Sequence, residues 1–419
     1  MARRVMETVD DVVYAELSNG AHVVIKRRTH IPLVSIAIAA RGGSLLEKRE
    51  RAGYTALMGR TSIKGTAQRT AAQIAETAEG MGGSISPSGG VDLIDWEFSV
   101  PSRHFSGALS LLADVAYNAA FPEPELEVER KLTLADLQQT RDDMYRYPLR
   151  LCLQSAFANH PYGHSLEDIE QGITSASSEQ LRAWRDERLY PEPWLFIVGD
   201  VDPDLVMHEL ERELPQPNAS SVWVAPLAKW PTERRQSIEQ RDKAQTALAL
   251  AFPGPDRADD DVYPLHVLAN AVGGLGGRFF EELRSKRSLA YTIQLLPLLR
   301  SAGGAFIAYI ATSPEREAEA RSALLDEFDR LRQQPLPADD IERSKRYTIG
   351  TWQIRKQTNS AQLSELLQAH VVGKGIEEIN EFEDRIRAVD GARIQEVAQK
   401  YFRPEVIVEG IVRGNGKSR

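Results

Sequence analysis

The feature that most constrains the fold of this chain is an internal repeat with an offset of 213 residues. The offset relates three pairs of segments: 122–130 with 335–343, 34–39 with 247–252, and Tyr190-Pro191 with Arg403-Pro404, which precede the apolar runs 194–198 and 406–408. The first pair of segments each carries Pro-x-Pro followed by acidic residues, a pattern typical of the first turn of a helix. Self-similarity at several separated places with one offset predicts two halves that share one plan.

Each half reads as strands, a helix pair, a strand, a long helix pair and a last strand. In the first half, Ser18-Asn19-Gly20 separates two alternating segments and predicts a hairpin turn. Residues 214–221 have the composition of a linker. We therefore predict an α+β fold with two homologous domains, 1–213 and 236–419, joined by a linker over 214–235. Each domain is expected to be an antiparallel sheet with helices packed on one face.

Length and composition exclude several classes of protein. A chain of 419 residues fits two domains, and 42% hydrophobic with 26% charged residues is typical of soluble globular proteins. A net charge of −9 argues against nucleic-acid binding. One cysteine, Cys152, excludes an internal disulfide framework. Since the sequence has no long apolar run and no apolar signal-peptide core, we expect no membrane span and a cytoplasmic location, or a periplasmic one if a leader was removed.

The segment 51–66 has the frame of a zinc-peptidase helix without its functional residues. It resembles the motif G-x-x-H-x-x-E-H-x-x-F-K-G-T of the pitrilysin/mitochondrial processing peptidase family, the inverzincins, through Gly53 and the run Lys64-Gly-Thr66. The two histidine positions of that motif hold Ala56 and Arg60, and the general-base position holds Gly59.

The resemblance also implies where the third zinc ligand would lie, in the stretch after Glu129. The corresponding position holds Asp136, a shorter carboxylate than the family's Glu. Zinc needs lone pairs about 2 Å away, which Ala and Gly lack and the Arg cation cannot offer. We therefore expect no metal site and no cofactor in this chain, and an ion pair between Arg60 and Asp136 in place of the metal.

The second half carries a different signature, the stretch 273–291. Its glycines do not match a phosphate-binding loop, and we expect them to let the backbone turn closely between two helices. The stretch resembles the family's C-terminal signature, in which an Arg and a Tyr seven residues later face the zinc. Here these are Arg284 and Tyr291, which would share one face if a helix persisted. The alternative is a surface pair between Arg284 and Glu281.

The resemblance covers nearly the whole chain. Residues 159–164 (NHPYGH), 197–203 (IVGDVDP) and 81–84 (MGGS) match further stretches of the family. What it implies is a mitochondrial processing peptidase-like metallohydrolase fold, and a subunit that is inactive alone and active only with a partner.

The resemblance thus implies a non-catalytic subunit of a heterodimeric zinc metalloendopeptidase. A homologous partner with His-x-x-Glu-His would hold the zinc, and Arg284 with Tyr291 would complement its site on a peptide substrate. The alternative is an inactive homologue that serves as a peptide-binding or scaffold protein, possibly as a homodimer. A third possibility, a hydrolase with its own metal, depends only on the pair His160 and His164.

Overall fold

The computed structural model describes residues 5–9, 11–215, 226–274, 276–290 and 292–417. These residues form twelve β-strands in two sheets, with helices between the strands. Residues 216–225 of the predicted linker lie outside these residues. The strands are β1 (Val5–Val9), β2 (Val12–Glu16), β3 (His22–Arg27), β4 (Leu33–Arg41), β5 (Ile85–Gly89), β6 (Leu93–Pro101), β7 (Pro193–Gly199), β8 (Arg235–Gln240), β9 (Thr246–Gly254), β10 (Thr292–Leu298), β11 (Gly304–Thr312) and β12 (Val408–Arg413).

Each α-helix of the described residues lies between two strands in chain order. They are α1 (Tyr54–Ser62), α2 (Ala71–Gly80), α3 (Phe105–Asn118), α4 (Glu123–Asp142), α5 (Arg146–Ala156), α6 (Leu166–Ser175), α7 (Ser178–Leu189), α8 (Pro203–Glu213), α9 (Val262–Gly273), α10 (Glu317–Gln333), α11 (Ala338–Arg355), α12 (Asn359–Leu367), α13 (Ile376–Asn380), α14 (Phe382–Ala388) and α15 (Gly391–Tyr401). Two π-helical segments, Phe280–Lys286 and Gln368–Val372, interrupt the α-helical pattern.

The two sheets have the same strand order, apart from two extra strands at one edge of the first. The first sheet runs β1-β2-β3-β7-β4-β6-β5 and the second β10-β11-β9-β12-β8. Read from the other side, the second becomes β8-β12-β9-β11-β10, which matches β3-β7-β4-β6-β5 of the first. Strands β3 and β8 begin 213 residues apart, as do β4 and β9. The repeat in the sequence is therefore a repeat of topology.

The predicted α+β class with a sheet in each half is confirmed, but the expectation of antiparallel sheets with helices on one face needs two corrections. Each sheet is mixed, because β7 pairs parallel with β3 and β12 pairs parallel with β8, while the other pairs are antiparallel. A parallel pair needs a long crossover, which the intervening helices provide. In the first sheet both faces are covered: Trp96 bonds to Ser62 of α1, whereas Trp194, on the opposite face by register, contacts His370 after α12.

The chain forms two compact units, each containing one sheet. The first comprises the described parts of Met1–Asp136, Leu166–Ala225 and Arg355–Ile379, and the second those of Leu137–Ser165, Pro226–Ile354 and Asn380–Arg419. The segment with α5 thus belongs to the unit of the second sheet, and the segment with α12 to that of the first. These helices also begin 213 residues apart. The division into domains 1–213 and 236–419 follows the repeat and stays a prediction.

The core of the second unit is built around Phe328 of α10. Its ring lies 4.7 Å from that of Phe252, 5.2 Å from that of Phe279 and 5.0 Å from that of Phe402, and all four residues are buried. Aromatic pairs at such distances contribute roughly 0.5–1.5 kcal/mol beyond their buried area. Phe279 directly precedes the π-helix, so this core fixes the start of that segment.

No helix within the described part of the chain is both long enough and apolar enough to cross a membrane.

The contact of α5 with β12 gives a test of the unit assignment. A Cβ on Gly410 would lie 2.2 Å from the carbonyl oxygen of Pro148 and 2.5 Å from the amide nitrogen of Cys152, both in α5. We expect Gly410→Ala to lower the free energy of unfolding by about 1–3 kcal/mol through overpacking. Gly350→Ala is the matched control, because a Cβ there meets no atom within 4 Å in the middle of α11. It should stabilise by up to about 1 kcal/mol. Equal urea midpoints for the two variants would contradict the close packing of α5 on β12.

Candidate functional site

Helix α1, which carries the degenerate zinc motif, begins at a carboxylate cap. Gly53 precedes it with φ of 90°, a conformation that favours glycine. The buried carboxylate of Glu47 accepts hydrogen bonds from the backbone N–H of Gly53 at 2.7 Å and of Thr55 at 2.6 Å. A negative charge at this end of a helix satisfies free N–H groups and interacts favourably with the helix dipole.

Two tryptophans fix the buried face of α1. The indole Nε1–H of Trp96 donates to Ser62 Oγ at 2.8 Å, and that of Trp184 donates to Thr55 Oγ1 at 3.2 Å. Both indoles are almost fully buried, so each needs such a partner. The helix therefore has one orientation, and the outward direction of positions 56 and 60 follows from it.

The position of the general base holds Gly59, which packs next to strand β5. Gly59 is buried, and a Cβ on it would lie 3.4 Å from the amide nitrogen of Gly89 in β5. A Cβ on Gly89 would lie only 2.6 Å from the carbonyl oxygen of Thr55 and 2.9 Å from the Cα of Ala56. Helix and strand thus meet at backbone distance at Gly89, whereas a Cβ on Gly59 would make an ordinary van der Waals contact with the strand. Ala56 is exposed and offers no ligand atom.

An ion cluster occupies the remaining positions of the motif. Arg60 Nη1 donates to Asp136 Oδ2 at 2.6 Å, which confirms the predicted ion pair. The sequence reasoning missed Glu129: Arg60 Nε donates to its Oε2 at 3.3 Å, and Lys64 Nζ lies 3.1 Å from its Oε1. Although desolvation opposes it, the hydrogen bonds to Asp136 and Glu129 raise the pKa of Arg60. Two cations and two carboxylates therefore balance one another.

These residues do not fit a zinc ion. Ala56 and Gly59 have no donor atoms, and the Arg60 guanidinium occupies the carboxylate oxygens that a metal would use. Among the described residues, no group of three or more His, Cys, Asp or Glu side chains is arranged to hold a metal.

Arg284 lies in the π-helix Phe280–Lys286, on the exposed side. Leu283 anchors the segment in the core, and the Arg284 guanidinium lies 4.8 Å from the centroid of the Phe280 ring. The alternative pairing with Glu281 is not what the structure has, since Glu281 pairs with Lys286 at 3.1 Å. Among the described residues no carboxylate pairs with Arg284. π-Helical turns recur at functional sites because they re-aim side chains.

The second member of the predicted pair, Tyr291, lies outside the described residues. The helix that would align it with Arg284 does not persist: it ends at Lys286, Ser288 has φ of 50°, and β10 begins at Thr292. The glycine prediction for this stretch holds at Gly277, where a Cβ would lie 2.5 Å from the carbonyl oxygen of Val272 in α9.

The pair His160 and His164 does not form a metal site. His160 is buried, and its Nδ1 accepts a hydrogen bond from the backbone N–H of Tyr162 at 3.2 Å. Its Nε2 lies 2.9 Å from the carbonyl oxygen of Pro226, to which it donates. Because both ring nitrogens are engaged, His160 has no lone pair for a metal, and this third possibility is wrong for the described residues.

Two carboxylates with raised pKa values lie on β6, where sequence reasoning saw only a strand. Burial raises the pKa of Asp95 to about 7, and the charge of Glu97 adds to the rise, while a hydrogen bond from Ser88 of β5 opposes it. Burial also raises the pKa of Glu97. The two side chains point to the same face because they are two residues apart in a strand. The alternation of these carboxylates with Trp96 and Phe98 was the sequence pattern that could have indicated acidic residues along one face of a strand.

Comparison with known families gives matches over both halves. A model described as "Insulinase (Peptidase family M16)" matches residues 22–169, and one described as "Peptidase M16 inactive domain" matches residues 176–347. An uncharacterized zinc protease of Bacillus subtilis is 21% identical over 92% of this chain and 94% of its own length. One of Rickettsia bellii is 26% identical over 90% of this chain and 92% of its own length.

Solved structures give the same fold at low sequence identity. The crystal structure of a peptidase M16 inactive domain from Pseudomonas fluorescens has a TM-score of 0.89 at 19% identity, covering 98% of this chain and all of that one. A chain of the complex III dimer from Candida albicans, bound to Inz-5, has a TM-score of 0.81 at 15% identity and covers 95% of both chains.

The ion cluster predicts a cost for losing Arg60. Arg60→Ala leaves the buried Glu129 carboxylate with Lys64 alone, and we expect the free energy of unfolding to fall by about 1–2 kcal/mol. Arg49→Ala is the control, because its ion pair with Asp168 involves an arginine that is 72% exposed. It should change the free energy of unfolding by less than about 1 kcal/mol. Equal urea midpoints for both variants would contradict a cluster that stabilises the fold.

Asp95 predicts a pH dependence of stability. Its pKa is higher in the folded state, so ionisation destabilises the fold: the penalty is absent below about pH 4 and grows as the pH rises to about 7. Asp95→Asn should remove this fall in the free energy of unfolding between about pH 4 and 7. It should stabilise the protein at pH 8 by on the order of 3 kcal/mol. Urea unfolding at several pH values measures both effects. Glu97→Gln should give a smaller change in the same direction, and parallel pH profiles for wild type and Asp95→Asn would refute the assignment.

Proposed function

The chain belongs to the M16 peptidase family, and we propose that within it this chain is the non-catalytic subunit of a two-subunit zinc endopeptidase. It is an inactive homologue in its own first half, where the zinc positions hold Ala56, Gly59 and Arg60. The partner in this proposal is a homologous subunit with an intact His-x-x-Glu-His motif, which supplies the zinc.

The observation that carries the proposal is the contrast between two arginines. Arg60 is engaged by two carboxylates, in the place where the family's motif has a ligand. Arg284 is exposed on a π-helix, and no carboxylate of the described residues pairs with it. A cation used only for stability is normally given a carboxylate, as Arg60 is. A cation left accessible beside an aromatic ring is suited to bind an anionic or polar group of a second molecule.

The chemistry that Arg284 offers is stabilisation of negative charge on a peptide. Hydrolysis of an amide passes through a tetrahedral species whose oxygen carries charge, and a fixed cation or hydrogen-bond donor lowers the barrier. The five N–H groups of a guanidinium also bind peptide carbonyls before reaction. Tyr291, seven residues further on, would add a phenolic donor. In this proposal the partner's metal supplies the nucleophile, and this chain binds and orients the peptide.

A scaffold or peptide-binding role without catalysis is the other candidate. The likeness to a complex III chain concerns the fold alone at 15% identity. The two functions make different predictions about cleavage, so one assay separates them.

The assay compares cleavage of a mixed peptide library by this chain, by the zinc-motif homologue from the same organism, and by their mixture. We expect turnover only in the mixture. Arg284→Ala should reduce the rate by about 10²–10³, the typical effect of removing one group that stabilises an oxyanion. Tyr291→Phe should also reduce it.

The matched control is Arg287→Ala, which removes an exposed arginine three residues away. It should leave the rate within about twofold of wild type, and size-exclusion chromatography should find the same complex for both variants. Full activity of the homologue alone, or an unchanged rate with Arg284→Ala, would overturn the proposal. A stable complex without turnover would favour the scaffold role.

A further inference from the structure

We infer that Arg316 is a positioning residue for Arg284, an assignment that rests on the proposed function. Arg316 directly precedes α10 and reaches the turn that follows the π-helix. Its Nη1 donates to the carbonyl oxygen of Ser288 at 2.8 Å, and its Nη2 donates to that of Arg287 at 3.0 Å. One guanidinium thus binds two consecutive carbonyls at the end of the segment that carries Arg284.

The guanidinium of Arg316 is itself held in place. Its Nε and Nη2 both donate to Glu319 Oε2, each at 3.1 Å, one turn further along α10. A planar guanidinium bound on two edges has little rotational freedom, so the two carbonyls are bound by a preoriented group.

The same helix also holds the start of the segment. Arg278 Nε donates to Glu327 Oε2 at 2.8 Å, and the Glu327 side chain is 1% exposed. Arg330 binds the other oxygen of that carboxylate at 2.9 Å. A buried carboxylate is costly unless cations neutralise it, so Arg278 cannot leave without a penalty. Residues 278 and 288 are therefore both fixed to α10, and Arg284 lies between them.

The turn that Arg316 binds is a strained one. Ser288 has φ of 50°, in the left-handed region that a residue with a Cβ rarely adopts. Its backbone N–H donates to the carbonyl oxygen of Arg284 at 3.0 Å, and that of Leu289 donates to the carbonyl oxygen of Leu283 at 2.8 Å. Such a conformation persists where the surroundings over-determine it. Arg316 provides that restraint from outside the segment.

Arg316 is not needed to satisfy buried groups. Arg287 and Ser288 are exposed, so water can bind their carbonyl oxygens when Arg316 is absent. Loss of Arg316 should therefore change the position and mobility of the turn more than the stability of the fold. Displacement of a catalytic group by about 1 Å can cost on the order of 10²-fold in rate.

The test uses Arg316→Gln in the mixture with the zinc-motif homologue. We expect kcat to fall by about 10- to 100-fold, with the melting temperature nearly unchanged. Arg316→Lys, which keeps the charge and one set of donors, should recover part of the loss. Arg343→Gln is the matched control, since Arg343 lies on α11 and pairs only with Asp340 in the described contacts. It should leave kcat within about twofold.

A double variant separates positioning from general damage. If Arg316 acts through Arg284, Arg316→Gln should cause no further loss of kcat in an Arg284→Ala background. The same fold-loss in both backgrounds would overturn the inference. Amide hydrogen exchange on the chain alone gives a readout independent of activity: exchange over residues 280–290 should accelerate in Arg316→Gln and not in Arg343→Gln. Unchanged exchange there would also overturn it. A wild-type mixture without any cleavage would refute the proposed function, and the exchange result would then decide whether Arg316 holds the turn.

Discussion

Each sheet is held together by one inner strand that is the last strand of its half in sequence. Strand β7 inserts between β3 and β4, parallel to one and antiparallel to the other, and β12 does the same between β8 and β9. In the first half every described α-helix except α8 precedes that last strand, and in the second half all described α-helices do. The sheet therefore closes only after most of the helices have been accommodated. The large loop that must close makes this pairing entropically demanding and explains why buried apolar residues dominate these strands.

In the first unit, helix α1 has an ion cluster and a close contact with β5 at the positions where the family's motif binds a metal. The glycine contact between α1 and β5 brings two backbones together beside Gly59, the position of the family's catalytic glutamate. Arg60 and Lys64 supply the positive charge that balances Glu129 and Asp136. The result is a neutral cluster at a place where the M16 frame implies a cation, and the fold keeps its shape without one.

In the second unit, Arg284 differs from Arg60 because no carboxylate of the described residues pairs with it. The segment around Arg284 is held at one end by Arg316, which binds two backbone carbonyls, and at the other by the side-chain ion pair of Arg278 with Glu327. The Arg284 side chain stays exposed. A rigid backbone with an accessible cation is the arrangement that binding or charge stabilisation requires. Under the proposed function, the two arginines separate a structural role from a recognition role within one chain.

The sequence by itself determined the repeat, the order of strands and helices within each half, the loss of zinc ligands at Ala56, Gly59 and Arg60, and the partner Asp136. These follow from residue identity and from local periodicity, which records which face of an element is buried. Only the tertiary structure decided that Glu129 and Lys64 join the cluster, that the helix after Arg284 ends in a strained turn, and that α5 and α12 belong to the units of the opposite halves. These depend on contacts between residues far apart in sequence, where no local pattern specifies the partner.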